Sequence, residues 1–188
     1  TVAFQGEPGA FSEIALLRHF PESTESLPLK EFRDVFESVL TGRSRYGIIP
    51  IENTLTGSIH QNYDLLLQYP DIRIIGEKTI RIIHNLIGFP GAQLSDIKRV
   101  YSHPQGLSQC ARFLDGYPQW QKIPFYDTAG SIAFVAEQGS KEKTGVGARE
   151  ARERIESAAQ RARATAPDYG GDPARVTLAG FSMGGAYG

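Results

Sequence analysis

With 188 residues, a net formal charge of −1 and 40% apolar residues, the chain can bury a sizeable core. Its charge excludes a general electrostatic footprint for nucleic acid or an acidic membrane surface. One cysteine, Cys110, excludes an internal disulfide framework and any multi-thiolate metal site, and the four histidines (His19, His60, His84, His103) show no HxH or HExxH spacing. The expectations are therefore a small-molecule partner, no metal, and a reducing, cytoplasmic setting. No apolar stretch approaches the roughly 20 residues needed to cross a bilayer, and the opening "TVAFQGEPGA" lacks the charged and apolar regions of a secretory signal.

Taken in chain order, one unit recurs: a short apolar or β-branched run, a polar turn, then an amphipathic helix. "VAFQG" leads through "EPGAFSE" into "IALLRHF", and a separate helix, "EFRDVFESVLTGR", follows. "YGIIPI" leads through "ENTLTG" into "SIHQNYDLLL", a helix that Gly57 and Ser58 would open. In "DIRIIGEKTIRIIHNLIGF" two β-rich runs follow each other without a helix, as one long strand passing between two lobes would, with the lobe boundary near Glu77 to Arg81. "RVYS" then leads through "HPQG" into "LSQCARFL", and "KIPFY" through "DTAGS" into "IAFVAEQ". Strands alternating with helices of this length predict an α/β fold with largely parallel sheet.

In such a sheet ligands bind beyond the carboxyl ends of the strands, where helix N-termini also point. Gln5, Glu52, Asn53, Thr54, Ser102, His103, Gln105, Asp127 and Thr128 fall at or near those junctions. Unpaired N–H groups and helix dipoles there favour an anionic ligand. Capping alone would account for Ser58, Ser102 or Thr128, since Ser, Thr, Asn and Asp are preferred just before a helix. Glu52 and Asn53 are harder to explain that way, because a carboxylate closing a buried apolar strand is costly to desolvate without a partner.

Together "FQGEPGAFSE", "YGIIPIENTLTGSI", "VYSHPQGLSQC" and "YDTAGSIAFVAEQ" resemble the catalytic domain of prephenate dehydratases, from Val2 to about Gly139. The resemblance implies a two-lobed α/β fold of the type II periplasmic-binding-protein-like class, with mixed sheets and a central cleft. Residues 1–78 would form the first lobe, 79–148 the second, and 149–188 an atypical C-terminal helix and strand returning to the first lobe. It implies no cofactor, prephenate as substrate, no nucleic-acid or membrane partner, and allows a homodimer. Prephenate loses carbon dioxide and a ring hydroxyl together, so the enzyme must seat two carboxylates and a keto group and protonate the leaving hydroxyl. Carried over by motif, Glu52, Asn53, Thr54 and Gln109 would be catalytic, and Gly57, Ser58, Ser102, His103, Gln105 and Thr128 would bind substrate. Gln105 and Gln109 are four apart and share a face if the helix begins by Gln105. An ordinary exposed helix position remains the alternative for Gln109.

The resemblance stops in the tail. The family closes its catalytic domain with a Thr-Arg-Phe strand, and no "TRF" occurs in this sequence. The stretch "AREARERIESAAQRARATA" predicts a solvated helix. "GVGARE" fails as a dinucleotide loop because Glu150 occupies its third glycine position. "DYGGDPARVTLAGFSMGG" resembles the approach to the nucleophile elbow of α/β-hydrolases, with Gly180-Phe181-Ser182-Met183-Gly184 as GxSxG. "RVTLAGF" is β-competent, and there Thr177 and Arg175 would substitute for the family's hydroxyl and cation. The alternatives to a dehydratase are thus a non-catalytic small-anion binding module and a serine hydrolase fragment.

Overall fold

The computed structural model describes residues 1–54, 57–151 and, in backbone only, 180–183. The chain divides into two units, Thr1–Ile82 and Ile83–Gly188.

The first unit is built on β1 (Val2–Gln5), flanked in parallel by β2 (Ser26–Leu29) and β3 (Tyr46–Ile48). β1 is central and its Val2, Ala3 and Phe4 are buried, as an apolar run covered on both faces should be. β2 was not legible as a strand, because Pro28 lies within it. A proline is tolerated there since, among the described residues, β2 is an edge strand with one side of its ladder unpaired. The helices α1 (Phe11–His19) and α2 (Phe32–Leu40) contribute Leu16, Val35 and Phe36 to the core. α2 begins at a reach-back bond in which the Glu31 amide donates to the Asp34 carboxylate at 3.1 Å. It rides close on β3: a Cβ at Gly47 would lie 2.7 Å from Val35 Cγ1.

After β3 the structure departs from the expected strand–turn–helix. Glu52–Asn53 (β4) and Gly57–Ser58 (β5) pair antiparallel, with Glu52 opposite Ser58 and Asn53 opposite Gly57. Gly57 has φ +82°, which a side chain would strain. The helix α3 spans His60–Gln68 and is capped at Ile59, so Gly57 and Ser58 form a ribbon and do not open the helix. Beyond α3, the isoleucine-rich residues 71–83 form no strand, and the first strand after them is β6 (His84–Gly88). Ile74 and Ile75 are 72% and 69% exposed.

The second unit is a five-stranded mixed sheet ordered β10-β6-β9-β7-β8. β7 (Arg99–Ser102) runs parallel to β8 (Gln121–Pro124) and β9 (Lys143–Gly147), while β6 runs antiparallel to β9. One face is filled by Leu86, Val100, Leu114, Trp120 and Val146. α4 (Pro104–Gln109) and α5 (Ala111–Leu114) follow β7, and α6 (Thr128–Gln138) follows β8. α6 lies directly on β9, because Gly145 and Gly147 present no side chain to it. A Cβ at Gly145 would sit 3.2 Å from Ile132 Cα, and one at Gly147 3.4 Å from the Thr128 carbonyl oxygen.

In the tail, Arg149–Ala151 form a single 3-10 turn. The rest of the expected helix, and Arg175 and Thr177, lie outside the described residues. Gly180–Met183 is strand β10, antiparallel to β6 with Ser182 opposite Asn85. This corrects two expectations. Ser182 lies inside a strand ladder and not at a strand-to-helix elbow, so the sharp turn that exposes a hydrolase nucleophile is not formed there. The strand also adds to the second unit's sheet, where β6 offers an edge, and not to the first.

Candidate active site

In the first unit the candidates sit on the short ribbon β4/β5. Asn62, with no exposed surface, holds it from below: its Nδ2 donates to the Pro50 carbonyl oxygen at 2.7 Å. The Ile59 amide donates to the Ile51 carbonyl at 2.9 Å. α3 is thereby tied to both residues that lead into Glu52. Glu52, Thr54, Gly57 and Ser58 are exposed and Asn53 is half-buried. The desolvation cost inferred for Glu52 therefore does not arise, since the strand before it is short and its carboxylate stays in water. Asn62 escaped notice in the sequence because "HQNYDLLL" hides it in helical spacing; its signal is its position three residues before the buried Leu65.

In the second unit the candidates gather at the carboxyl end of β7. Ser102 is fully buried and its Oγ donates to the Val146 carbonyl oxygen at 2.7 Å. His103 caps α4, with Nδ1 accepting from the Gln105 amide at 3.2 Å, and Asp127 caps α6, with Oδ1 accepting from the Gly130 amide at 2.7 Å. The caps thus fall on His103 and Asp127, each next to the residue that composition favoured. Gly106 brings the two helix starts together: a Cβ there would lie 2.7 Å from Ser102 Oγ and 3.4 Å from Thr128 Cγ2. Ser102 and Thr128 therefore flank one glycine of α4, whose other end carries Gln109.

Gln109 and Gln105 are both half-buried on a helix that begins at Pro104, as their four-residue spacing requires. Gln109 Oε1 lies 2.6 Å from His84 Nε2. His84 is 8% exposed, at the start of β6. Burial is the larger influence on it and lowers its pKa, against the smaller raising effect of the bond to Gln109. The imidazole is therefore neutral at pH 7. His84 was not among the sequence candidates, although a lone polar aromatic in the apolar run "IIHNLIG" was the available signal. Cys110, next to Gln109, is buried with its thiol pushed up to about 11 by desolvation, so it stays protonated at neutral pH.

Two α/β units with polar residues at the strand ends of each make a two-unit α/β chain, and its likeness to solved prephenate dehydratases gives it the type II periplasmic-binding-protein-like class. The comparisons then fix the family. The family model for prephenate dehydratase matches residues 2–161. The bifunctional chorismate mutase/prephenate dehydratase of Escherichia coli (strain K12) is 39% identical over 150 residues, covering 78% of this chain and 38% of that protein. Among solved structures, prephenate dehydratase from Arthrobacter aurescens in complex with L-Phe matches with a TM-score of 0.73 at 28% identity, over 80% of this chain and 50% of that one. A structure described as GqqA, a novel type of quorum quenching acylase, matches with a TM-score of 0.73 at 32% identity, over 82% of this chain and 56% of that one. The chain belongs to the prephenate dehydratase family, and it spans well under half of the curated relative's length.

Proposed function

We propose that the chain catalyses the decarboxylative dehydration of prephenate to phenylpyruvate, a carbon–oxygen lyase reaction. Breaking the bond to the carboxylate carbon leaves its electron pair to aromatise the ring, and the ring hydroxyl departs as water once protonated. No external oxidant or cofactor is needed to balance this step. The observation that carries the reading is the family match over residues 2–161, which includes every site candidate. Asn53, Thr54 and Gln109 supply amide and hydroxyl donors for the substrate's carboxylates and keto group. Glu52 is the titratable member of the four, and we assign it, in its protonated carboxylic acid form, proton transfer to the leaving hydroxyl, which departs as water and leaves the Glu52 carboxylate behind. His103, Gln105, Gly57, Ser58 and Thr128 complete the binding set, and Ser102 supports it by holding β7 to β9. A cytoplasmic setting accords with the single cysteine, and a homodimer is the assembly to test.

The test is phenylpyruvate formation from prephenate, read by absorbance in alkali. A rate well above the spontaneous acid-promoted one is expected, and no excess rate overturns the proposal. A second reading is favoured by one specific observation, the absence of Thr-Arg-Phe from the sequence. On it the chain binds the dicarboxylate without transforming it, and calorimetric binding of prephenate without turnover would decide for it.

A further inference from the structure

The contact between His84 and Gln109 carries a consequence for the site beyond the residues named by the motifs. The two come from elements 25 residues apart, a strand held in its sheet on both sides and the last residue of a short helix. Left alone, a glutamine at a helix end has freely rotating side-chain bonds, and its carboxamide can present either its oxygen or its nitrogen. An anionic substrate can use only the nitrogen. The imidazole, buried and anchored by the β6 backbone, breaks that symmetry.

We infer that His84 is a positioning residue for Gln109, donating Nε2–H to Gln109 Oε1 and thereby turning the glutamine amino group outward as a hydrogen-bond donor toward a carboxylate or keto oxygen. A carbonyl oxygen can only accept, so the 2.6 Å contact requires the proton to be on Nε2. A neutral imidazole supplies that one donor, and burial keeps it neutral. The proton on Nε2 and the orientation of the amide thus fix each other. Were the amide turned over, its nitrogen would be spent on the imidazole and a lone-pair-bearing oxygen would face the anion. The inference rests on the dehydratase reading for its substrate, but the bond itself does not.

Two measurements separate the two claims. Nitrogen-15 NMR of the unaltered full chain reports the His84 tautomer directly: the neutral Nε2–H form at pH 7 is expected, and the Nδ1–H form or a charged ring overturns the inference whether or not the protein turns over prephenate. Kinetics supply the second readout. His84→Phe removes the donor while filling its volume, and turnover should fall about 10²-fold, the order expected when a reacting partner is misplaced by an ångström. His84→Gln, which keeps a donor, should recover part of that loss. His84→Phe combined with Gln109→Leu should be no slower than Gln109→Leu alone. Losses that multiply would show that His84 acts independently of Gln109 and would overturn the positioning role.

Discussion

The Ser102 hydroxyl donates to the Val146 carbonyl at 2.7 Å, so the residue that closes β7 is bound to β9 by its side chain where the two parallel strands end. Both partners are fully buried. Ser102→Ala leaves that carbonyl without its donor and should cost about 1–3 kcal/mol of stability. Urea unfolding measures it. An unchanged midpoint together with a raised KM would instead make Ser102 a direct substrate contact.

Gly145 faces α6 at a distance that admits no side chain. In Gly145→Ala the new methyl would lie 2.8 Å from Ile132 Cγ1 and 3.2 and 3.3 Å from its Cα and N, so the helix backbone must give way as well as the side chain. Alanine suits a strand interior slightly better than glycine, by roughly 0.5–1 kcal/mol, whereas overpacking costs about 1–3 kcal/mol, and more where backbone must move. The clash wins, and thermal unfolding should shift down by several degrees. Stability equal to wild type would mean that α6 does not lie where it is described.

Glu52 is exposed, so its replacement should separate chemistry from folding. Glu52→Gln keeps size and hydrogen bonding but removes the proton carrier. Phenylpyruvate formation should fall by about 10²-fold or more, while stability stays within about 0.5 kcal/mol. Unchanged kinetics would remove Glu52 from the catalytic set.

His84 makes stability depend on pH in a direction fixed by burial. Its native pKa lies below the ordinary 6.5. Above 6.5 both folded and unfolded imidazoles are neutral and the residue adds no pH dependence. As pH falls below 6.5 the unfolded chain takes up a proton that the native chain does not, so stability declines until the lower native pKa is passed. Urea titrations between pH 7.5 and 5.5 should show the decline for wild type and a flatter profile for His84→Gln. Parallel profiles would mean that the imidazole is equally basic in both states.

Much of this architecture could be read directly from residue patterns, and the exceptions have physical causes. The runs at Val2, Tyr46, Arg99 and Lys122 and the helices after them were visible because apolar residues alternate with polar turns at their expected lengths. β9 was not visible. "KTGVG" is rich in glycine, which weakens a strand taken alone, and only the helix lying across it explains why glycine belongs there. The isoleucines of residues 71–83 gave the opposite error. Their β-propensity is real, but a strand needs a ladder partner, and pairing is not written in the run itself. At the candidate site the residue types of "ENT" and "SHPQGLSQ" were legible, whereas the roles of Asn62 and His84 depend on contacts 12 and 25 residues away in sequence.

The bare backbone of β9 has a mechanical meaning. The Ile132 side chain stands between this strand and α6, 2.8 Å from where a Cβ at Gly145 would lie and 2.6 Å from one at Gly147, so a shift of the helix bears on both glycines. From the adjoining Val146 it reaches Ser102, and through Gly106 the start of α4. A load on α6, on β9 or at the start of α4 would therefore be felt at the other two.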